Sequence, residues 1–576
     1  MKIVMKYLRP FAALIAVALL LLVVQAAADL NQPNLMSQMV DYGVRSEFET
    51  AQLQQTFILR TGGLMLLLAL GSGAATAVVV FLSAKISAGF SRDLRRAIFA
   101  QVQSFSKAEM DQFSTASLIT RSTNDVQQVQ TVVMLGLRLI VFAPIMGVGG
   151  VVMALRTSPG LGWIIVFAIV LLLITLGLAL LVVLPKFQAL QGLIDKLNLV
   201  SRENLTGLMV VRAFGNEQHE EQRFGFAANM LAKTERFVNR SMAIMMPFLF
   251  SVLWNGLQIM IVWFGAQRIE QATLEVGQMM AFMQYAMLVV FSFVFVGMLF
   301  VMLPRAAVSA GRIKQVMNTK LTIHDSEVLE GFPEGGVQVE FDNVHFRYAG
   351  AEEDALENIS FVARPGQTTA FIGATGSGKT TLVNLLERFY DVTGGAIMIN
   401  GVDIRNLPQS ELRKHIGLVP QKAVLFSGDV KTNVSYGTEI EDELVREAIA
   451  IAQSDFAIAH EISQGGANLS GGQKQRVSIA RALARKPKIY IFDDSFSALD
   501  YKTDAALRRA LKKNTGDATV FIVAQRVSTI LNAEQIVVLE EGKVAGIGTH
   551  KELLQHCEVY REIAESQLSK EELSHD

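Results

Sequence analysis

Along the first 310 residues, hydrophobic positions come in long runs instead of alternating with polar ones. Runs at 9–29, 61–83, 131–155, 162–185, 244–266 and 279–303 each reach the roughly 20 apolar residues a helix needs to cross a bilayer. Farther on the period changes. Gly331, Pro333, Gly335 and Gly336 punctuate the chain, and Val337-Gln338-Val339-Glu340-Phe341 then alternates as a half-buried strand does. Short apolar runs at 369–372 and 489–492 read as fully buried strands. The pattern predicts an all-α six-helix transmembrane domain over 1–310, a linker over 311–336 and an α/β domain over 337–576.

Two of the connections are long and keep helical spacing. Phe90, Leu94, Ile98, Val102 and Phe105 recur at three- and four-residue steps after the second run, so helices continue past the bilayer. Gly215-Asn216 marks a turn at the tip of the second connection. The first carries Lys85, Arg92, Arg95, Arg96, Lys107 and Arg121, and the second Lys186, Lys196, Arg202, Arg212 and Arg223. Positive charge stays in the cytosol, which leaves 30–56, 156–161 and 267–278 outside and both termini inside.

The first run has a rival reading. Lys2, Lys6 and Arg9 before an apolar stretch ending in Ala26-Ala27-Ala28 resemble a cleaved secretory signal. Its length and the five runs that follow favour a retained span. Within the runs the one charge noted is Arg138, read either as snorkelling to the cytosolic interface or as functional. The last two runs combine Met279, Met280, Met283, Met287 and Met298 with Trp254, Phe291, Phe293 and Phe295, and with polar Asn255, Gln258, Gln284 and Tyr285. Such residues suit a pocket for varied apolar ligands, and equally suit lipid contact or helix packing.

Composition narrows the classes. Hydrophobic residues make up 51% and charged ones 18%, against about 25% charged in ordinary soluble domains. Lys+Arg number 52 and Asp+Glu 53, so no net field favours nucleic acid. Cys557 is alone, which excludes an internal disulfide and thiol-rich metal sites.

The chemistry concentrates in the second half. After the strand at 369–372 comes Gly373-Ala374-Thr375-Gly376-Ser377-Gly378-Lys379-Thr380-Thr381, opening a helical stretch. This is G-x-x-x-x-G-K-T in a strand–loop–helix setting. Its glycines let successive backbone N–H groups turn around phosphate, Lys379 reaches the β- and γ-phosphates, and the Thr380 hydroxyl ligates Mg²⁺. The strand at 489–492 ends in Asp493-Asp494, a carboxylate where Mg²⁺ needs an anionic partner. Between them, Leu469-Ser470-Gly471-Gly472-Gln473 precedes another helix, either a second phosphate-facing N-terminus or a glycine-rich cap.

Together these motifs resemble the ATP-binding cassette (ABC) transporter family, and the resemblance covers nearly the whole chain. It implies a six-span exporter domain joined to a cassette with a RecA-like core, an antiparallel β subdomain and an α-helical subdomain, working with ATP and Mg²⁺. Tyr348 resembles the aromatic that stacks on adenine, Gln421 the glutamine that senses Mg²⁺, and Ser497-Ala498-Leu499-Asp500 the loop at the dimer interface. Coupling helices fall near Met110–Phe113 and Glu217–Glu220. The family works as pairs, with ATP held between one chain's phosphate loop and the other's LSGGQ.

Two departures fall on the chemistry. Asp494 stands where the family has the Glu that polarises water, and Gln525 stands in place of its switch histidine. Asp is one methylene shorter, and Gln cannot carry the imidazole's charge. The pattern resembles the degenerate-site subunit of heterodimeric bacterial multidrug exporters and implies a partner with Glu and His. A third departure is the stretch around Asp455–Glu461, about half a dozen residues shorter than the family's helical region before Ser463-Gln464-Gly465-Gly466. The resemblance implies a bacterial inner-membrane exporter of drug- or lipid-like amphiphiles. Rival readings are an ATP-gated channel, a regulatory subunit, or a homodimeric lipid or peptide exporter. The first span's nearness to residue 1 argues against a leader-cleaving peptidase domain.

Overall fold

The computed structural model describes residues 2–44, 51–326 and 330–568. The outer connection read over 30–56, the linker over 311–336 and the domain end at 576 each include residues outside that set. The chain divides into one unit of Met1–Gln103 with Ala116–Asn318, and a second of Ser104–Thr115 with Thr319–Asp576.

Helices in the first half follow in order: α1 (Ile3–Val44), α2 (Ala51–Gln103), the short α3 (Lys107–Gln112), α4 (Thr115–Thr157), α5 (Gly162–Thr206), α6 (Leu208–Phe214), α7 (Glu217–Pro247), α8 (Trp254–Glu270) and α9 (Val276–Asn318). Among the described residues, α1, α2, α4 and α9 are long and apolar enough to cross a membrane. The predicted runs at 162–185 and 244–266 lie within α5 and across the π-turn Phe248–Leu253 that joins α7 to α8. At 53 residues, α2 is about 80 Å long, far beyond the roughly 30 Å hydrocarbon core. Its continuation is held by Phe90, Leu94 and Ile98, all fully buried. Helix α2 stops at Gln103, before the expected Phe105.

Close approaches fix this unit. Gly89 lies against the Phe11 ring, where a Cβ would come within 2.5 Å of it. Buried Asp41 accepts from the Gly277 N–H at 2.6 Å and the Ser37 hydroxyl at 2.9 Å, fastening the end of α1 to the start of α9. Tyr285 is buried in the packing core and donates to the Leu30 carbonyl at 3.1 Å. Toward the other end of α9, Ser309 donates to buried Asp125 of α4 at 2.7 Å. The tip formed by α6 and Gly215, whose φ is +63°, exposes Met209 and Phe214.

The structure corrects one reading: charge within the apolar helices is not confined to Arg138. Helix α1 runs on past 29 to Val44, and Asp29 therefore stands inside it. Its carboxylate is only partly exposed and takes a hydrogen bond from Ser72 of α2 at 2.6 Å.

The second unit is built on two sheets. One is antiparallel, ordered β2–β1–β4–β5, from β1 (Val339–Phe346), β2 (Leu356–Ala363), β4 (Gly394–Ile399) and β5 (Val402–Asp403). The other runs β12–β11–β3–β10–β9–β6, from β3 (Thr368–Gly373), β6 (Ile416–Val419), β9 (Ile489–Asp493), β10 (Thr519–Val523), β11 (Gln535–Glu540) and β12 (Lys543–Gly548). Its strands are parallel except at the β11–β12 edge. A small pair joins β7 (Gly428–Asp429) to β8 (Glu461–Ile462). Strand β9 is buried along its whole length and β3 across 369–372, as the two runs without polar alternation predict. Residues 454–460, where the family's helix would lie, form no helix. The Lys431 N–H holds them through the Ile458 carbonyl at 2.9 Å, and the Val430 N–H through the His460 carbonyl at 3.0 Å.

Helix α3 belongs to this second unit. Ser106 and Glu109 close a capping box at its start, and Glu109 also accepts from the Thr322 N–H at 2.7 Å. Ala108 packs on the core around Leu385 and Tyr390, and the Tyr390 hydroxyl donates to Asp111 at 2.5 Å.

One buried carboxyl predicts a pH-dependent stability for the cassette. Burial pushes Glu387 up to about 7, with Arg413 nearby opposing the shift. Because its folded value lies above the unfolded one, the stability it contributes is full below about pH 4.5 and is lost as pH rises through 7. The loss is on the order of 3 kcal/mol. Thermal unfolding of the full chain followed from pH 4.5 to 7.5 should show this decline, and Glu387→Gln should flatten it. Parallel curves for the two proteins would place the titration elsewhere.

Candidate nucleotide-binding site

The site grows from the end of β3. Gly373, Gly376 and Gly378 take φ of +156°, +89° and +98°. A Cβ at Gly373 would lie 2.1 Å from the Leu539 carbonyl oxygen, and one at Gly378 would lie 2.5 Å from Leu356. The loop therefore requires glycine at both places. Gly378 then caps α10 (Lys379–Leu386) without any side-chain hydrogen bond, so the first N–H groups of this helix lack a side-chain acceptor.

The Lys379 ammonium folds back over the loop, donating to the Gly373 and Ala374 carbonyls at 2.8 and 2.7 Å and to the Ser377 hydroxyl at 3.3 Å. Burial lowers its pKa, and the neighbouring Asp494 and Asp493 carboxylates oppose that shift. Asp493 sits at the tip of β9, 3.3 Å from the Thr380 hydroxyl. Burial raises its pKa; the Thr380 hydrogen bond counteracts this, while Asp494 adds to it.

Tyr348, Thr375, Lys379, Thr380, Gln421 and Gln525 meet around one recess of about 300 Å³. The Tyr348 hydroxyl lies 2.8 Å from that of Thr381, and its ring packs edge-on against Phe346 and Tyr390. Asp494 is held in a left-handed conformation, φ +46°. Its N–H donates to the Val523 carbonyl at 3.0 Å and its own carbonyl accepts from the Ser497 hydroxyl at 2.9 Å. One oxygen of its carboxylate accepts from both amides, from Gln421 at 3.1 Å and from Gln525 at 2.8 Å. The two substituted positions thus touch each other, with Gln421 completing the group.

Ser470, Gly471, Gly472 and Gln473 do not line that recess. Ser470 and Gln473 close a capping box at the start of α14 (Gly471–Ala484), numbering the intervening helices α11 (Gln409–Lys414), α12 (Val430–Ser435) and α13 (Asp442–Ile451). Gly472 is pressed toward the Ala498 carbonyl, where a Cβ would stand 3.1 Å away.

These residues fit a magnesium nucleotide. The uncapped start of α10 and the glycine conformations offer an oxyanion its acceptor role, and Lys379 supplies a partly desolvated cation. The Thr380 hydroxyl and the buried Asp493 carboxylate are hard oxygen donors of the kind Mg²⁺ takes. Sequence reasoning missed the Tyr390–Asp111 link and Asp29. Only the carboxylate of Asp29 amid apolar residues could have signalled a site, and the first run ends on that residue.

Residues 356–497 match the ABC transporter family and residues 15–293 match the ABC transporter transmembrane region. The chain is 38% identical over 575 residues to an uncharacterized ABC transporter ATP-binding protein of Mycobacterium tuberculosis, across 98% of this chain and 97% of that one. It is 36% identical to a similarly described Bacillus subtilis protein, across 98% of each. A probable multidrug resistance ABC transporter ATP-binding/permease protein of Bacillus subtilis is 31% identical across 82% of each. Among solved structures, a bacterial Atm1-family ABC exporter with ATP bound superposes with a TM-score of 0.76, at 24% identity, over 97% of this chain and 99% of that chain. That likeness shows the fold.

Proposed function

The chain belongs to the ABC transporter family, a transmembrane region followed by an ATP-binding domain, and from that premise we propose that it is the ATP-holding half of a heterodimeric exporter. The family couples ATP hydrolysis to transport. In this reading six spans lie in the bacterial inner membrane with the cassette in the cytosol, and the cargo is a drug- or lipid-like amphiphile. The name carried by the Bacillus subtilis multidrug relative supports that cargo class.

The observation that carries the proposal is the Asp494 carboxylate held by the Gln421 and Gln525 amides. A base must point at the attacking water, and a carboxylate one methylene short with one oxygen engaged by two donors does so poorly. Gln525 can donate a hydrogen bond but moves no proton near neutral pH. Lys379 and the loop N–H groups would bind the phosphates, Tyr348 would offer its ring to the base, and Thr380, Asp493 and Gln421 would hold Mg²⁺. The metal supplies charge neutralisation on the phosphates. Ser470 and its glycines, which do not line this chain's own recess, would serve the partner's nucleotide. Closure is driven by the tighter binding of ATP in the closed pair. Exposed Met209 and Phe214 at the α6 tip suit contact with a second chain.

ATP turnover in nanodiscs tests the reading. The purified chain alone should bind ATP and hydrolyse it slowly. Co-assembly with a half-transporter carrying Glu and His at the corresponding positions should restore both turnover and ATP-driven export. Brisk hydrolysis by the chain on its own would overturn it.

A further inference from the structure

Asp29 carries an ionisable carboxyl inside the apolar helix α1. Its partner Ser72 stands between Arg60 and Lys85 on α2, about 18 Å from the first and about 20 Å from the second at 1.5 Å per residue. Ser72 thus lies deep in the apolar stretch of α2, and Asp29 itself stands about 30 Å along α1 from Arg9. An ionisable side chain there marks a functional position by default. Among the described residues no basic side chain comes within ion-pair distance of it.

The carboxylate opens on a recess of about 450 Å³ between α1, α2 and α9, lined by Gln32, Pro33, Ser72, Gln284, Met287 and Leu288. That volume lies in the range of small-molecule sites. Its lining divides in chemistry. Met287 and Leu288 give a polarisable apolar wall, whereas α1 presents acceptors. Pro33 has no N–H, so the Asp29 carbonyl four residues earlier lacks its helical donor. Ser72 engages one oxygen of the Asp29 carboxylate. Gln32 turns its amide N–H₂ to the Met65 carbonyl at 3.2 Å. One turn before Asp29, buried Gln25 keeps a side-chain oxygen without a partner. Negative and acceptor groups thus collect on one stripe of α1, and no cation answers them.

We propose that Asp29 and this recess form a binding site for lipophilic monocations, with the carboxylate selecting charge and Met287 and Leu288 receiving the apolar body. The role of such a cation as cargo rests on the export reading, while its binding at Asp29 does not. Neutral and anionic amphiphiles of the same size are rejected, because only a cation offsets the cost of a carboxylate among these apolar helices.

Tetraphenylphosphonium and tetraphenylborate are nearly the same shape with opposite charge, and they make the test. Binding to the full chain in nanodiscs, without ATP, should be saturable for the phosphonium and absent for the borate. Asp29→Asn keeps an acceptor for Ser72 and should weaken phosphonium binding at least about tenfold, whereas Asp29→Glu should stay within a few-fold of wild type. Equal phosphonium affinity in wild type and D29N, equal binding of both ions, or no saturable phosphonium binding would each overturn the site. If D29N fails to fold, the discrimination between the two ions by the unaltered protein decides. ATP-driven phosphonium flux in vesicles containing the chain and its partner separates the two proposals. Asp29-dependent binding without flux leaves the site standing and removes the export reading, and flux with Asp29-independent binding does the reverse.

Discussion

Replacing Asp494 by Glu and Gln525 by His together should raise ATP turnover by the full chain on the order of 10²-fold. The gain has a geometric source. Asp494 is fixed by its left-handed backbone and by the hydrogen bond from its N–H to the Val523 carbonyl, so its carboxylate can reach no farther than its one methylene allows. Glutamate on the same backbone reaches about 1 Å farther, and displacements of that size carry about two orders of magnitude in rate. Histidine at 525 removes the amide that now holds the carboxylate at 2.8 Å and adds a group that can carry charge near neutral pH. Either change alone should give less, because each leaves one half of the Gln525–Asp494 contact in place. A steady-state ATPase assay on the four proteins checks this. Unchanged turnover in the double variant would mean that the slow step lies outside these two positions.

Replacing Lys379 by Ala should abolish ATP binding at ordinary concentrations while leaving the cassette folded. The ammonium is already drawn over the phosphate loop by three oxygen acceptors, so it is preorganised above the place where phosphate would sit. Charge-assisted hydrogen bonds contribute about 1.5–3 kcal/mol each. Losing two of them, about 3–6 kcal/mol, weakens binding by roughly 10²–10⁴. ATP at 100 times its dissociation constant stabilises a protein by about 2.7 kcal/mol, and the variant at the same concentration would gain almost none. Thermal unfolding with and without Mg-ATP measures the difference. A K379A protein that keeps the wild-type ATP shift would place the nucleotide elsewhere.

Much of this site can be read from residue order because its parts are local. Gly373 to Thr380 is one uninterrupted loop, and the glycines that must have positive φ are the ones the motif contains. The tip of β9 is legible for the same reason, since a buried strand ending in two aspartates needs no distant partner to be recognised. Helix ends were harder. α1 extends to Val44 although its apolar run stops near 29, because the Asp41 bonds to Gly277 and Ser37 hold polar turns that composition alone would assign to a loop. That extension is what places Asp29 inside a helix and not at its edge.

By itself, then, the sequence determined the two-part organisation, the phosphate loop, the magnesium-side aspartate and the presence of Asp494 and Gln525 where Glu and His were expected. These are properties of residue type and short spacing, fixed by backbone geometry within a few residues. Tertiary structure alone decided which side chains meet across long separations. Gln421 and Gln525 reach the same carboxylate oxygen from 73 and 31 residues away, because β6, β9 and β10 lie side by side in one parallel sheet and their ends open onto one recess. Tyr390 finds Asp111 across 279 residues because α3 is packed into the cassette unit. Ser72 finds Asp29 because α1 and α2 pack closely enough for one hydrogen bond to join their polar stripes. No local pattern encodes those meetings, since each depends on how the chain returns to itself.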